Sequence, residues 1–286
     1  MLVVNNLTKT IHKKEILKEV NCEFKGVFGL VGPNGAGKTT LLKLLANVNQ
    51  NYDGEIIRGR INQVGYLPQD FKPYKNLKVE ETLCHFSMLK GIKNKNSRKK
   101  EVDAVINEVN LTEHRNSKTK ELSGGMLRRL GIAQALLGNP DLLIVDEPFN
   151  GLDFEEKLRL KFLIKRISLN SKRTIIITSH LVEELEEFCT DIGFLINGKV
   201  AKYGELHRVF KEFEGKIWEV CDDSGVLISN ESSLILSETL IDNKSSRFRI
   251  FSNNPIEGGK KVIPSIRDIY LYYVREANRY ENILFV

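Results

Sequence analysis

Val27-Phe-Gly-Leu-Val31-Gly32-Pro33-Asn34-Gly35-Ala36-Gly37-Lys38-Thr39-Thr40 decides the fold. It starts as a compact apolar run, the pattern of a buried strand, and breaks into a Gly-Pro-Asn-Gly turn. Thr39–Asn47 then carries helix formers without a breaker. Strand, glycine loop and helix follow in that order. Gly32 to Thr39 fits G-x-x-x-x-G-K-[ST]. Its glycines take backbone angles closed to other residues, so that successive amides converge on phosphate oxygens. The positive end of the following helix adds to that attraction. Lys38 would neutralise the β and γ phosphates of ATP, and Thr39 would offer an oxygen to Mg²⁺. Such a match arises by chance on the order of once per hundred proteins of this length.

Further along, Leu142–Val145 and Thr174–Thr178 are continuous apolar runs, the pattern of parallel strands covered on both faces. The helical stretch Phe154–Leu169 separates them, which gives βαβ logic. The first run ends in Asp146-Glu147-Pro148. Many buried strands end in an acid, so the pair is informative only because the phosphate loop precedes it. A buried Asp146 can hold Mg²⁺ through water, the ion compensating the carboxylate's desolvation. Glu147 is placed to orient or deprotonate the attacking water.

The rest of the chain is read around this core. Val3, Val4 and Leu7, then Ile16, Leu17, Val20 and Phe24, indicate short strands with charged turns. From Lys78 to about Leu137 the apolar spacing is mostly helical (Leu83, Phe86, Leu89; Val102, Val105, Ile106, Val109), a helical insertion. Asn197-Gly198, between two apolar pieces, predicts a type I′ hairpin. After about Phe213 short β-like pieces (Ile217–Cys221, Leu234–Leu236, Phe248–Phe251) alternate with polar turns. Pro264-Ser265 then opens an amphipathic helix through Tyr273. Residues 214–286 are therefore expected to form a small β-rich accessory domain. Trp218 and the Tyr270–Tyr273 cluster read as core packing.

With 286 residues, 41% hydrophobic and 28% charged, the chain suffices for one large α/β domain and a smaller appendage. The net charge of +6 is a mild excess, and no nucleic acid is expected as partner. The one dense basic run, Lys90 to Lys100, reads first as a solvated loop between helices and second as a contact with an anionic inner leaflet. Cys22, Cys84, Cys189 and Cys221 are scattered without C-x-x-C spacing, which fits a reducing cytosol. The start, MLVVNNLTKT, shows no signal peptide, and no stretch approaches the ~18–20 apolar residues of a membrane span.

Leu122-Ser123-Gly124-Gly125-Met126, followed by Arg128-Arg129 and placed just before the acidic pair, resembles the signature of ATP-binding-cassette ATPases. Gln69 in Gly-Tyr-Leu-Pro-Gln resembles that family's Q-loop glutamine. Gly151-Leu152-Asp153 resembles its D-loop, and His180 in Thr-Ser-His-Leu-Val-Glu-Glu its switch histidine. The resemblance covers about residues 1–210. It implies a P-loop nucleotide hydrolase core with an antiparallel β subdomain and a helical subdomain at about 78–137, within a nucleotide-binding domain of residues 1–213.

The same resemblance implies site roles. ATP would be held by Gly32, Pro33, Asn34, Gly35, Ala36, Gly37, Lys38, Thr39 and Thr40 of one subunit. Ser123, Gly124, Gly125 and Asp153 would hold it from a second subunit packed head to tail, either an identical copy or a paralogous cassette. Thr39, Gln69 and Asp146 would serve Mg²⁺, while Glu147, His180 and Gln69 would serve hydrolysis. The physics agrees: Ser123–Gly125 precede a helix, a second anion site. One flat domain does not readily enclose a single ATP between both sites.

Gly131–Leu137 and Gly215–Glu219 resemble export-type cassettes, including bacitracin-type ones, that pair with separate permeases. The expected protein is the ATP-hydrolysing subunit of an exporter, cytoplasmic and peripheral at the inner face of the membrane. The permease would be met around Phe71–Leu77, just after Gln69, and across the helical insertion. Two other functions are weighed. A ribosome- or nucleic-acid-directed cassette usually carries two such domains or long coiled coils, and this chain has neither. A nucleotide-dependent regulator that barely hydrolyses fits poorly with Glu147, Gln69 and His180 all in place.

Three departures from the family pattern stand out. Met126 replaces the signature's usual glutamine and cannot hydrogen-bond as an amide does. The aromatic that usually stacks on adenine aligns with Ile11, beside His12. The short turn at Phe24–Phe28 suggests a trimmed antiparallel subdomain.

Overall fold

Val27–Val31 lies inside a six-stranded sheet and is buried along its whole length. The computed structural model describes residues 1–169, 173–222, 233–241 and 246–282. Residues 223–232, 242–245 and 283–286 of the expected accessory domain lie outside the described residues. In chain order the first elements are β1 (Leu2–Ile11), β2 (Lys14–Phe24), β3 (Val27–Val31), α1 (Lys38–Leu45), β4 (Asp53–Ile57) and β5 (Val64–Leu67). Helices α2 (Val79–Leu89), α3 (Lys95–Glu108) and α4 (Gly124–Leu136) follow. Next come β6 (Leu142–Val145), α5 (Phe154–Leu169), β7 (Thr174–Ser179), α6 (Glu183–Glu186), β8 (Asp191–Ile196), β9 (Lys199–Glu205) and α7 (Leu206–Lys211). The remainder holds β10 (Ile217–Asp222), β11 (Ser233–Leu240), β12 (Ser246–Ser252), β13 (Lys260–Lys261) and α8 (Ile266–Asn282).

The main sheet has the order β5-β6-β7-β3-β8-β9, parallel except for β9, which returns on β8. Strand alternation divides its side chains between two cores. Phe28, Leu30, Leu142 and Ile144 pack with α1 and the small antiparallel sheet β2-β1-β4. Val27, Val31, Leu143 and Val145 join the side covered by α2–α5. Both faces are dry, hence the unbroken apolar runs. The β8–β9 link is the expected hairpin, with Asn197 at φ 50° and Gly198 at φ 82°. A type I′ turn requires positive φ at both.

The tight link Lys25-Gly26 joins the main sheet to a three-stranded antiparallel sheet in which β1 has 10 residues and β2 has 11. The link is short because β2 feeds directly into β3, and the Val27 amide is tied to Thr190 Oγ1 at 3.1 Å.

The C-terminal strands form an antiparallel sheet, β11-β12-β10-β13. Ile217, Leu236, Ile266 and Ile269 belong to the same buried cluster as Val27 and Phe194. Helix α8 runs nine residues beyond the expected Tyr273, to Asn282. Tyr273 stacks on Phe194 of β8 at 5.4 Å, and Tyr272 meets Phe251 of β12 at 4.5 Å. One helix thus touches both sheets through its aromatics. Trp218 is buried, with its indole N–H donated to Ser252 O at 3.2 Å.

Candidate functional site

The loop between β3 and α1 closes on its own lysine. Gly37 caps α1 at φ 102°, where a side chain would be strained and its Cβ would meet Leu17 Cδ2 at 2.9 Å. Lys38 is buried; its ammonium donates to Gly32 O at 2.7 Å and Pro33 O at 3.2 Å, and lies 3.2 Å from Glu147 Oε1.

Parallel pairing brings the other chemistry to the same edge. Because β6 and β7 run alongside β3, the residues after each strand emerge next to the loop. Asp146 and Glu147 follow β6 and His180 follows β7. Glu147 sits at φ 47°, a conformation that L-residues adopt at a cost, and its Oε2 is 2.9 Å from His180 Nδ1. Thr178, in β7, holds both acids: its hydroxyl donates to Asp146 Oδ1 at 2.7 Å and accepts from the Glu147 amide at 2.9 Å.

Burial pushes the Asp146 carboxyl above the usual carboxylate range, opposed by the Thr178 and Thr39 hydroxyls and by Lys38, and reinforced by Glu147. Its Oδ2 is buried with no hydrogen-bond partner. An unpartnered carboxylate oxygen beside a threonine hydroxyl suits a hard, oxygen-seeking divalent cation.

An open cavity of about 580 Å³ lies over this edge. It is lined by Asn34 to Thr40, together with Gln69, Glu147, His180, Ile16 and Asn150. Gly32 and Pro33 are not on its wall and serve Lys38 through their carbonyls. Ser123, Gly124, Gly125 and Asp153 do not line it either. Gly124 borders a second cavity of about 300 Å³, which shares only Gln69 and Asn150 with the first. Ser123 caps α4 by accepting from the Met126 amide at 3.2 Å. Asp153 caps α5, accepting from the Glu156 amide at 2.8 Å.

Four contributors were not singled out from the sequence. Thr178 stands out in the sequence only as the end of an apolar run, and nothing in the sequence marks Asn150. Ile16, rather than Ile11 or His12, forms the apolar wall of the cavity; Ile11 pairs with Lys14 across the β1–β2 turn that contains His12. Arg128 was noted only for its place after the signature. It reaches back from α4 to the Gln69 carbonyl at 2.6 Å.

A glycine loop wrapped on a buried lysine, beside paired acids at the ends of parallel strands, defines a P-loop nucleotide hydrolase. The comparisons narrow this further. The family model described as ABC transporter matches residues 18–150. An ABC transporter ATP-binding protein of Methanocaldococcus jannaschii is 35% identical over 247 residues, covering 84% of this chain and 91% of the relative. The linearmycin resistance ATP-binding protein LnrL of Bacillus subtilis is 32% identical, over 84% of this chain and 79% of its own length. The lantibiotic transport ATP-binding protein SrtF of Streptococcus pyogenes is 34% identical, over 70% of this chain and 89% of its own. Among solved structures, the dimeric ABC transporter cassette MJ0796 superposes with a TM-score of 0.64 at 25% identity, covering 72% of this chain and 99% of that one. The chain belongs to the ATP-binding proteins of ABC transporters, and it is an ATPase of that family.

Proposed function

We propose that the chain is the ATP-hydrolysing subunit of a membrane exporter, working with a separate permease and closing head to tail with a second cassette, identical or paralogous. The observation that carries this reading is the separation of the two anion sites. Lys38, Thr39, Glu147 and His180 share one cavity, and the signature at Ser123–Gly125 lies outside it. A triphosphate seated on the phosphate loop is then completed by another molecule's signature. Relatives named for linearmycin resistance and lantibiotic transport support export. Among the described residues no helix is long and apolar enough to cross a membrane, so the path falls to a partner.

In this reading the amides of Asn34 to Thr40 and the Lys38 ammonium bind the phosphates. Thr39, Asp146 and Gln69 would hold Mg²⁺, which when bound offsets phosphate charge. Glu147 takes the proton from the attacking water, and His180 holds the Glu147 carboxylate and faces the γ-phosphate. Asp153, through its cap on α5, sets the position of the loop that meets the second subunit. Residues 214–286 form an accessory part, joined to the cassette through α8. The chain would sit in the cytoplasm at the inner face of the membrane. Glu147→Gln tests the reading. The variant should bind ATP without turnover and run as a dimer by light scattering; a monomer at saturating ATP, with and without the permease, overturns it.

A further inference from the structure

Where α2 turns into α3 the chain presents a corner with two unusual properties. Lys90 to Lys100 contains six cations and no acid, as much positive charge as the net +6 of the whole chain. Two of the six are occupied. Lys90 donates to Ala135 O and Leu137 O at the end of α4, and Arg98 donates to Ile92 O and Lys93 O. The Lys90 bonds fix the corner to the body, and the Arg98 bonds close the corner on itself. Lys93, Lys95, Lys99 and Lys100 are exposed, and their ammonium groups pair with no acid among the described residues. The next acids along the chain are engaged elsewhere, Glu101 with the Gly138 amide and Asp103 with Arg115. Directly before the run, at the end of α2, Met88 is 48% exposed and Leu89 70%.

We propose that this corner is a direct contact with an anionic lipid surface. Four uncompensated lysines supply the attraction, each favourable near an anionic leaflet and screened by salt. Met88 and Leu89 supply apolar groups that can enter the acyl boundary. The apolar pair decides between lipid and nucleic acid: a phosphate backbone repays cations alone, whereas a bilayer repays both. The proposal adds a lipid contact to the membrane location proposed above. Vesicle binding and ATP turnover are separate readouts, so one can fail without the other.

The test is sedimentation of the full chain with vesicles of phosphatidylcholine, alone or mixed with phosphatidylglycerol, at low and high salt. The chain should bind the mixed vesicles and not the neutral ones. Lys95→Glu with Lys99→Glu should lower that binding about tenfold or more. Met88→Ser with Leu89→Ser should also weaken it, leaving any binding of an RNA homopolymer unchanged. Unaltered ATPase activity in both variants would show that they are folded. Equal binding to both vesicle types, or no binding, overturns the proposal, as does parental binding by the charge-reversed variant. Binding of RNA through the same lysines, with vesicle binding insensitive to Met88 and Leu89, would assign the corner to nucleic acid instead.

Discussion

Thr178→Val removes a single hydroxyl and nearly preserves volume, so its cost is polar. That hydroxyl is fully buried and makes two bonds, one to a carboxylate and one from a backbone amide. A hydrogen bond to a charged group contributes roughly 1.5–3 kcal/mol, and a buried N–H left alone costs roughly 1–3 kcal/mol. The two share one oxygen and are not additive, so the expected loss is about 3 kcal/mol near neutral pH. The loss has a pH signature. Asp146's folded pKa already lies above its unfolded value, so ionising it costs stability as pH rises through that window. Thr178 lowers that pKa; without it the window extends upward, and the deficit against the parent grows as pH rises above the ordinary carboxylate range. Urea unfolding at several pH values, with Mg²⁺ chelated, measures it. A loss under about 1 kcal/mol, or one that shrinks as pH rises, would refute the reasoning.

Two further substitutions probe the same edge. Asp146→Asn should remove the penalty of ionising a buried, half-satisfied carboxyl. The metal-free variant should therefore gain about 1–2 kcal/mol over the parent near neutral pH, the gain fading toward acid, while ATP turnover is lost; thermal unfolding and phosphate release report the two. Gly32→Ala would put a Cβ at 2.1 Å from the Leu195 carbonyl oxygen, a backbone atom that cannot swing aside. It should destabilise by about 2–3 kcal/mol, and an unchanged unfolding midpoint would show that β8 lies farther off.

What the sequence disclosed depended on how local each signal was. Leu142–Val145 and Phe154–Leu169 have the expected bounds because an unbroken apolar run and an uninterrupted helical pattern need only neighbouring residues to be read. The phosphate loop was legible for the same reason. Thr178 and Asn150 were not, since their importance arises only when β7 and the loop after β6 meet in space. Ile16 lines the cavity because the turn at His12-Lys13, both at positive φ, closes the β1–β2 hairpin and leaves Ile16 on β2, a placement that depends on the hairpin and not on any local pattern. Helix α8 continues past Tyr273, where Val274 and Ala277 still pack against the buried cluster, contacts that no window of sequence contains.

The central claim is that one ATP needs the phosphate loop of one molecule and the signature of another. Mixing two inactive variants tests it most directly. Lys38→Met disables the first element and Gly124→Asp the second. A Cβ at Gly124 meets nothing nearer than Leu152 Cδ2 at 3.7 Å, so a side chain can start there without a backbone clash and bring a carboxylate against the phosphates. Neither variant alone should hydrolyse ATP, and their mixture should regain activity through pairs that contain one intact composite site. A mixture as inactive as its components at every ratio, or a Gly124→Asp protein that turns over ATP like the parent, would contradict the account.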